Sequence, residues 1–278
     1  MAFGVPAGGL RPLIARYHGY REHDGAPGCH RGLPSPYLTV IVTLGEPLTV
    51  ATHPDVRQAP GQYDTLVGGL HTSPALITHQ GRQAGVQIAL SPLGTRRLLG
   101  LPAGELRNID LDAADVLGRT AHELHERLNA ASGWPERFAI LDELLLRHAG
   151  RERPVPDEIA RAWRLLMSSG GRVPISDLAR EIGWSSRHLA TRFAGEIGLS
   201  PKAAARVIRF DRTRHRLQRR AGSALGLADL AAESGYYDQA HLARDFRDLA
   251  GCSPTRWLAE EFRNVQAAAS VATADSMA

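Results

Sequence analysis

The octapeptide DLAREIGW at residues 177–184 returns as DLAAESGY at residues 229–236, and the likeness runs on past both. His188, Leu189, Ala190, Phe193, Gly198, Ser200 and Pro201 of the first copy correspond to His241, Leu242, Ala243, Phe246, Gly251, Ser253 and Pro254 of the second, which has one extra residue ahead of its His-Leu pair. Chance does not give that many matches in register. The C-terminal half of the chain must therefore fold as one small helical unit built twice.

Each copy has the grammar of a helix-turn-helix. Leu178 and Ile182 form an i, i+4 apolar pair on a first helix, Gly183 permits the positive φ that ends it, and Ser185 or Ser186 can cap the next. Leu189 and Phe193 then face inward, which leaves Arg187, Ala190, Thr191 and Ala194 outward on the second helix, the element that enters the major groove in such motifs. In the second copy Asp238 is the expected cap and Leu242 and Phe246 the inward pair, with Gln239, Ala240, His241 and Arg244 on the outer or leading face. The shape alone is a weak signal, because many ordinary helix pairs share it. Between the copies, Val207, Phe210, Thr213 and Leu217 lie on one stripe of a helix of about 18 residues and roughly 27 Å. As a spacer it would hold two recognition helices about one duplex turn apart, near 34 Å. Ile159, Ala162, Trp163 and Leu166 give a preceding helix an apolar face that reads as core over the first motif.

Charge supports a nucleic-acid partner. The net +4 conceals an uneven distribution: residues 1–150 hold 13 Lys or Arg against 14 acids, residues 151–220 hold 16 against 7, and residues 221–278 hold 4 against 8. The excesses are −1, +9 and −4. A block of +9 suits a surface that meets phosphates and releases their counterions, the alternative being a solvated helical face. On these counts the first motif is expected to supply more of the sequence-independent hold, and the second more discrimination than its net charge suggests.

The first half has another texture. With 278 residues, 43% of them hydrophobic, the chain has room for two domains with separate cores. From Tyr37 to Pro92 short apolar or alternating runs punctuated by Gly and Pro predict strands and turns. Helices are expected over Asp110 to Ala131, with Leu117, Ala121, Leu124 and Leu128 on a stripe, and over Pro135 to Ala149, with Phe138, Leu141, Leu145 and His148 on another. The Pro-rich, charged GRERPVPDE places a linker at residues 151–155, between units at 1–150 and 156–263, and the Ala, Ser and Thr of 264–278 predict a disordered tail. The opening residues show no secretory pattern and no run approaches about 18 apolar residues, so a soluble cytoplasmic protein without a membrane partner is expected. Cys29 and Cys252 make neither a disulfide framework nor a metal spacing, which fits a reducing compartment.

Residues 156–263 resemble the C-terminal DNA-binding domain of the AraC/XylS family of bacterial transcription regulators. The family's second motif, His-Leu-x-Arg-x-Phe followed by Gly-x-Ser-Pro, is matched by His241, Leu242, Arg244, Phe246, Gly251, Ser253 and Pro254. In the first motif Thr191 stands where the family commonly places an arginine, with Arg192 one step later. Arg209 matches the linker-helix arginine of the family, for which phosphate-proximal and structural roles are both open. The resemblance implies an α+β chain, with an N-terminal cupin-like β domain and helical hairpin for sensing and dimerisation, then an all-α domain of two helix-turn-helix motifs joined by a long helix. It implies double-stranded DNA, RNA polymerase and an unidentified small-molecule effector as partners, activation rather than repression, and a homodimer through residues 110–149 with Leu124 and Leu145 at its seam, the alternative being that the two stripes pack against their own β domain. The expected DNA-binding residues are Ser186, Arg187, Ala190, Thr191, Arg209, Gln239, Ala240, His241 and Arg244.

No catalytic residue, cofactor or metal is expected. The His-x-His with downstream Glu and His of an enzymatic cupin is missing, and His18, His23, His30, His53, His71 and His79 read as loop or satisfied core histidines. The alternative is a metal-dependent or alkyl-accepting enzyme fused to a DNA-binding domain. Its best candidate is Cys29 in GCHRG, where His30 and Arg31 could lower the thiol pKa and Cys-His-Arg resembles the acceptor site of DNA alkyltransferases. Gly28 stands where that family has proline, and the 28 residues upstream cannot hold its domain.

Overall fold

The computed structural model describes residues 1–22, 26–150, 154–220 and 226–260. His23, the first three residues of the expected linker, residues 261–263 and the expected tail at 264–278 lie outside them. Strands β1 (Ala2–Gly4), β2 (Ile14–Glu22), β3 (Gly28–Gly32), β4 (Leu38–Thr43), β5 (Leu48–Thr52), β6 (Gly61–Tyr63), β7 (Thr65–Gly68), β8 (Ala75–His79), β9 (Gln83–Leu90) and β10 (Asp110–Asp112) form two antiparallel sheets. One has the order β1-β2-β9-β4-β7-β10 and the other β3-β8-β5-β6. The period of two decides what each face meets. In β4, Val40 and Val42 join the large core, while Ile41 turns the other way and packs with Leu48, Val50, Leu66 and Ile77. The sheets therefore begin well before Tyr37. β2 escapes an apolar search because Trp134 lies directly on Gly19, so the strand shows no large side chain there.

Helices α1 (Thr95–Leu99), α2 (Ala114–Leu117), α3 (Arg119–Ala130) and α4 (Trp134–His148), with a 3-10 turn at Ala103–Leu106, complete the first unit. The single helix expected over Asp110 to Ala131 is divided. Asp110–Asp112 pair with β7, and Gly118, at φ 55° and ψ −134°, separates α2 from α3 in a conformation no helix contains. Leu124, 1% exposed, and Leu145, 4% exposed, are packed inside the chain's own core, the internal alternative to the expected seam. Outside, Arg127 pairs with Glu143 and Glu123, and Arg147 pairs with Glu123.

The second unit comprises α5 (Asp157–Ser169), α6 (Ile175–Ile182), α7 (Ser186–Ile197), α8 (Pro201–Arg219), α9 (Leu227–Glu233) and α10 (Gln239–Ala250). Ile159, Ala162, Trp163 and Leu166 are buried as expected, and α5 covers the first motif with Trp163 6.2 Å from Phe193. α8 is more than a spacer. Val207, Phe210 and Thr213 are fully buried, Phe210 meets Phe246 edge-on at 4.9 Å, and the helix touches α5, α7, α9 and α10.

Instead of separate cores, the large cluster runs continuously through both units. Gly104 allows this: a Cβ there would lie 2.0 Å from the carbonyl oxygen of Gly195, so the 3-10 turn touches the backbone of α7 directly. Beside it Arg96 grips Glu196 through two 2.9 Å bonds, and Arg31 of β3 pairs with Glu260 beyond α10. The first unit thus holds both motifs.

Candidate nucleic-acid interface

In the first motif Gly183 ends α6 at φ 79°, and Ser185 rather than Ser186 caps α7, accepting from the His188 N–H at 3.2 Å. Buried Leu189 and Phe193 turn Ser186, Arg187, Thr191 and Arg192 to the surface, with Ala190 half-exposed. Thr191 spends its hydroxyl on the Arg187 carbonyl at 3.2 Å, which leaves its methyl to offer a base. In the second motif Asp238 caps α10, accepting from the His241 N–H at 2.6 Å. Leu242 and Phe246 are buried, and Gln239, Ala240 and Arg244 are exposed. The geometry thus puts these side chains on the outer faces of α7 and α10, Ser186, Arg187, Gln239 and Ala240 at the leading ends and Thr191, Arg192 and Arg244 midway along.

Two of the side chains expected to meet DNA make contacts within the chain. His241 is half-buried, stands edge-on to Tyr236 at 5.1 Å, and accepts from the Tyr237 N–H at 3.4 Å. It braces the turn, as His188 does against Trp184 at 4.6 Å. Arg209 points inward, donating to the Gly235 carbonyl at 3.1 Å and lying over the Tyr236 ring at 5.1 Å. Of the two roles open to it, its contacts are those of a structural residue. Burial, followed by nearby Asp245, pushes the Tyr236 hydroxyl well above the ordinary tyrosine value, so that ring stays neutral under the guanidinium.

Much of the +9 block is compensated. Arg206 pairs with Asp245 and Asp248, Arg214 with Asp211, Arg220 with Glu233, and Arg161 with Glu181. Arg164, Arg172, Arg187, Arg192, Lys202, Arg212, Arg219, Arg244 and Arg247 are exposed and have no ion-pair partner among the described residues. Of these, Arg187 and Arg192 lie on α7 and Arg244 and Arg247 on α10.

Sequence reasoning missed a cleft of about 430 Å³ where Arg16 and Tyr37 of the first unit face Met167, Arg212, His215 and Arg219. Arg16 lies over Tyr37 at 5.4 Å, and Arg212 donates to the Met167 carbonyl, which leaves both charges unneutralised. The cleft's carboxylate, Asp211, is engaged by Arg214 at 2.7 Å. Burial and then Arg214 hold the His215 ring below its ordinary pKa, and burial raises that of Tyr37. No local pattern could have revealed a site assembled from residues about 200 positions apart.

The histidines behave unevenly. His53 meets Asp110 at 2.7 Å and His71 meets the Ser73 carbonyl at 2.6 Å, but His18 and His30 each leave a ring nitrogen without a protein partner. Among the described residues no group of three or more His, Cys, Asp or Glu could hold a metal, and no helix is long and apolar enough to cross a membrane. Cys29 is exposed on β3, where the two-residue period puts His30 on the opposite face, and Arg31 is occupied by Glu260. The groups expected to activate its thiol are not assembled around it.

Comparison with known proteins places the second unit. Residues 178–260 match a family described as a helix-turn-helix domain. In this domain the chain is of the AraC/XylS type. Residues 4–112 match a domain of unknown function. Among solved structures the chain is similar to ToxT from Vibrio cholerae at 11% identity, covering 87% of this chain and 97% of that one with a TM-score of 0.52. An apo variant of ToxT gives 9% identity, 87% and 96% coverage and a TM-score of 0.54. Wild-type ToxT bound to an unsaturated fatty acid gives 9%, 87% and 94%, and 0.50. At these identities the likeness is one of fold: a β-rich unit followed by a helical DNA-binding domain. No curated protein matches the chain.

Proposed function

We propose that this AraC-type DNA-binding regulator is an activator that reads a two-part operator and answers to a small acidic effector. The operator would be read by Arg187 and Thr191 of α7 and by Gln239 and Arg244 of α10, each arginine able to present a bidentate fork to guanine. The observation that carries the effector reading is the cleft, because its lining comes from the sensing unit and from α8, which packs against both motifs. A ligand can shift an equilibrium only through contacts that differ between the states, and one placed there touches both parts. Uncompensated Arg16 and Arg212 suit a carboxylate, and Tyr37, Met167 and Ile208 suit an apolar body. That the ToxT fold also accommodates an unsaturated fatty acid supports the same chemistry. RNA polymerase is the partner that activation requires. Any homodimer would use the outer, charged face of the hairpin, since its apolar stripes are occupied.

One experiment tests the proposal in sequence. Selection from a random duplex pool should enrich a two-part site, whose affinity should then change when a long-chain carboxylate is added and not with its methyl ester. An unenriched pool overturns the regulator reading. Enrichment with no response to the carboxylate, or an equal response in Arg16→Ala, overturns the effector reading alone.

A further inference from the structure

The two motifs correspond residue for residue except at one position. Gly183 and Gly235 both have positive φ, at 79° and 77°, Trp184 and Tyr236 both stand edge-on to a histidine of the next helix, and Ser185 and Asp238 both cap it. The residue left over in the second copy is Tyr237. It is 93% exposed, whereas its neighbour Tyr236 is 4% exposed. A single exposed apolar residue needs no explanation in itself. Here the exposure is built, because the Tyr237 N–H is fixed to His241 Nδ1 at 3.4 Å while the longer turn sends its ring outward, one residue before the cap of α10.

The caps supply the chemical reason. Neutral Ser185 leaves the positive end of α7 free to attract a phosphate, whereas Asp238 puts a carboxylate at the same place on α10. The end of α10 that bears Gln239 and Ala240 is therefore less favourable to an approaching phosphate than the corresponding end of α7. A neutral donor on a rigid six-carbon ring, exposed one residue before that carboxylate, can meet a phosphate without adding charge. Resting on the DNA-binding reading of the domain, we propose that Tyr237 is the phosphate anchor of the second motif. Its hydroxyl donates to a backbone phosphate at the lip of the major groove entered by α10, and its ring lies against the adjoining sugar.

The test uses the full chain with Tyr237→Phe and Tyr237→Ala, on the selected operator and on a scrambled duplex, over a range of salt. Tyr237→Phe should weaken both duplexes by a similar factor of about ten, the loss of one hydrogen bond to a charged acceptor. The slope of affinity against salt should stay unchanged, since a neutral side chain releases no counterion. Ethylation interference should lose one phosphate at the second half-site. Thermal stability should not move, because the ring packs on nothing. Wild-type affinity in Tyr237→Phe overturns the proposal. So does a loss confined to the operator, which would make Tyr237 a base reader. So does intact DNA binding with lost promoter activity, which would make it a protein contact. A wild-type chain that binds no duplex overturns the DNA-binding reading itself, and is recognised before any variant is compared.

Discussion

Replacing Arg209 by alanine separates a structural arginine from a phosphate-binding one. The substitution removes a charged donor from the Gly235 carbonyl at 3.1 Å, which is worth about 1.5 to 3 kcal/mol. It also removes a cation from the Tyr236 ring at 5.1 Å, worth about 0.5 to 1 kcal/mol. Against these stands the Arg209 Nε, buried without a partner, whose removal returns about 1 kcal/mol or more. The net loss is about 1 to 3 kcal/mol, read as a lower urea midpoint by tryptophan fluorescence. Because Gly235 and Tyr236 set the angle at which α10 leaves its turn, the operator should lose more affinity than scrambled duplex, with no change in salt slope. An arginine on phosphate behaves oppositely: stability holds, both duplexes weaken equally, and the slope falls by about one. That second pattern would refute the structural assignment.

Four further outcomes follow from named contacts. A double-mutant cycle on Arg96 and Glu196, whose side chains are 28% and 14% exposed, should give a coupling of about 1 kcal/mol in thermal unfolding; zero coupling would mean the pair does not tie the units. Leu124→Asp should cost more than about 3 kcal/mol and melt the first unit, and a folded variant with altered association by light scattering would restore the seam. Arg244→Ala should cost about 1 to 3 kcal/mol on the operator and relax one base pair in a repeated selection, whereas equal loss on scrambled duplex would make it a phosphate contact. Burial holds His18, His30 and His71 below the ordinary value of 6.5, so their folded forms bind protons less well than the unfolded chain. Their contribution is complete above pH 6.5 and is lost as pH falls below it, so a melting temperature that rises on acidification to pH 5 would contradict the burial of these rings.

The second unit was legible because its signals are local. Leu189, Phe193, Leu242 and Phe246 fix each inner face at helical spacing, and Asp238 declares its cap from the residues around it. The hairpin shows the limit of such signals. A seven-residue apolar stripe says that Leu124 and Leu145 are buried, but only the tertiary structure says against what, and they pack inside their own chain. Arg209 was ambiguous for a related reason. A long side chain has a direction set by the turn it meets, and that turn begins 26 residues away. In the first unit β1 to β3 were lost because glycines and polar residues occupy positions where a strand usually displays Val or Ile.

The charge map changes most when the chain is folded. Counted along the sequence, the segment 221–278 that contains the second motif is acidic, at −4, and the block before it is +9. In space the two counts overlap, because Arg206 of α8 pairs with Asp245 and Asp248 of α10, and Arg220 pairs with Glu233 of α9. The acids of the second motif are thus partly neutralised by the arginines of the block, along the seam that holds α9 and α10 to α8. What remains exposed without an ion-pair partner among the described residues is still weighted to the block: Arg164, Arg172, Arg187, Arg192, Lys202, Arg212 and Arg219, against Arg244 and Arg247 on α10. A division in which the first motif supplies more of the hold and the second more of the discrimination therefore keeps an electrostatic basis, smaller than the counts along the sequence suggest. Each free arginine that meets phosphate contributes about one to the salt slope whichever helix bears it. The motifs also differ at their leading ends, where one helix has a neutral cap and the other an aspartate preceded by an exposed tyrosine.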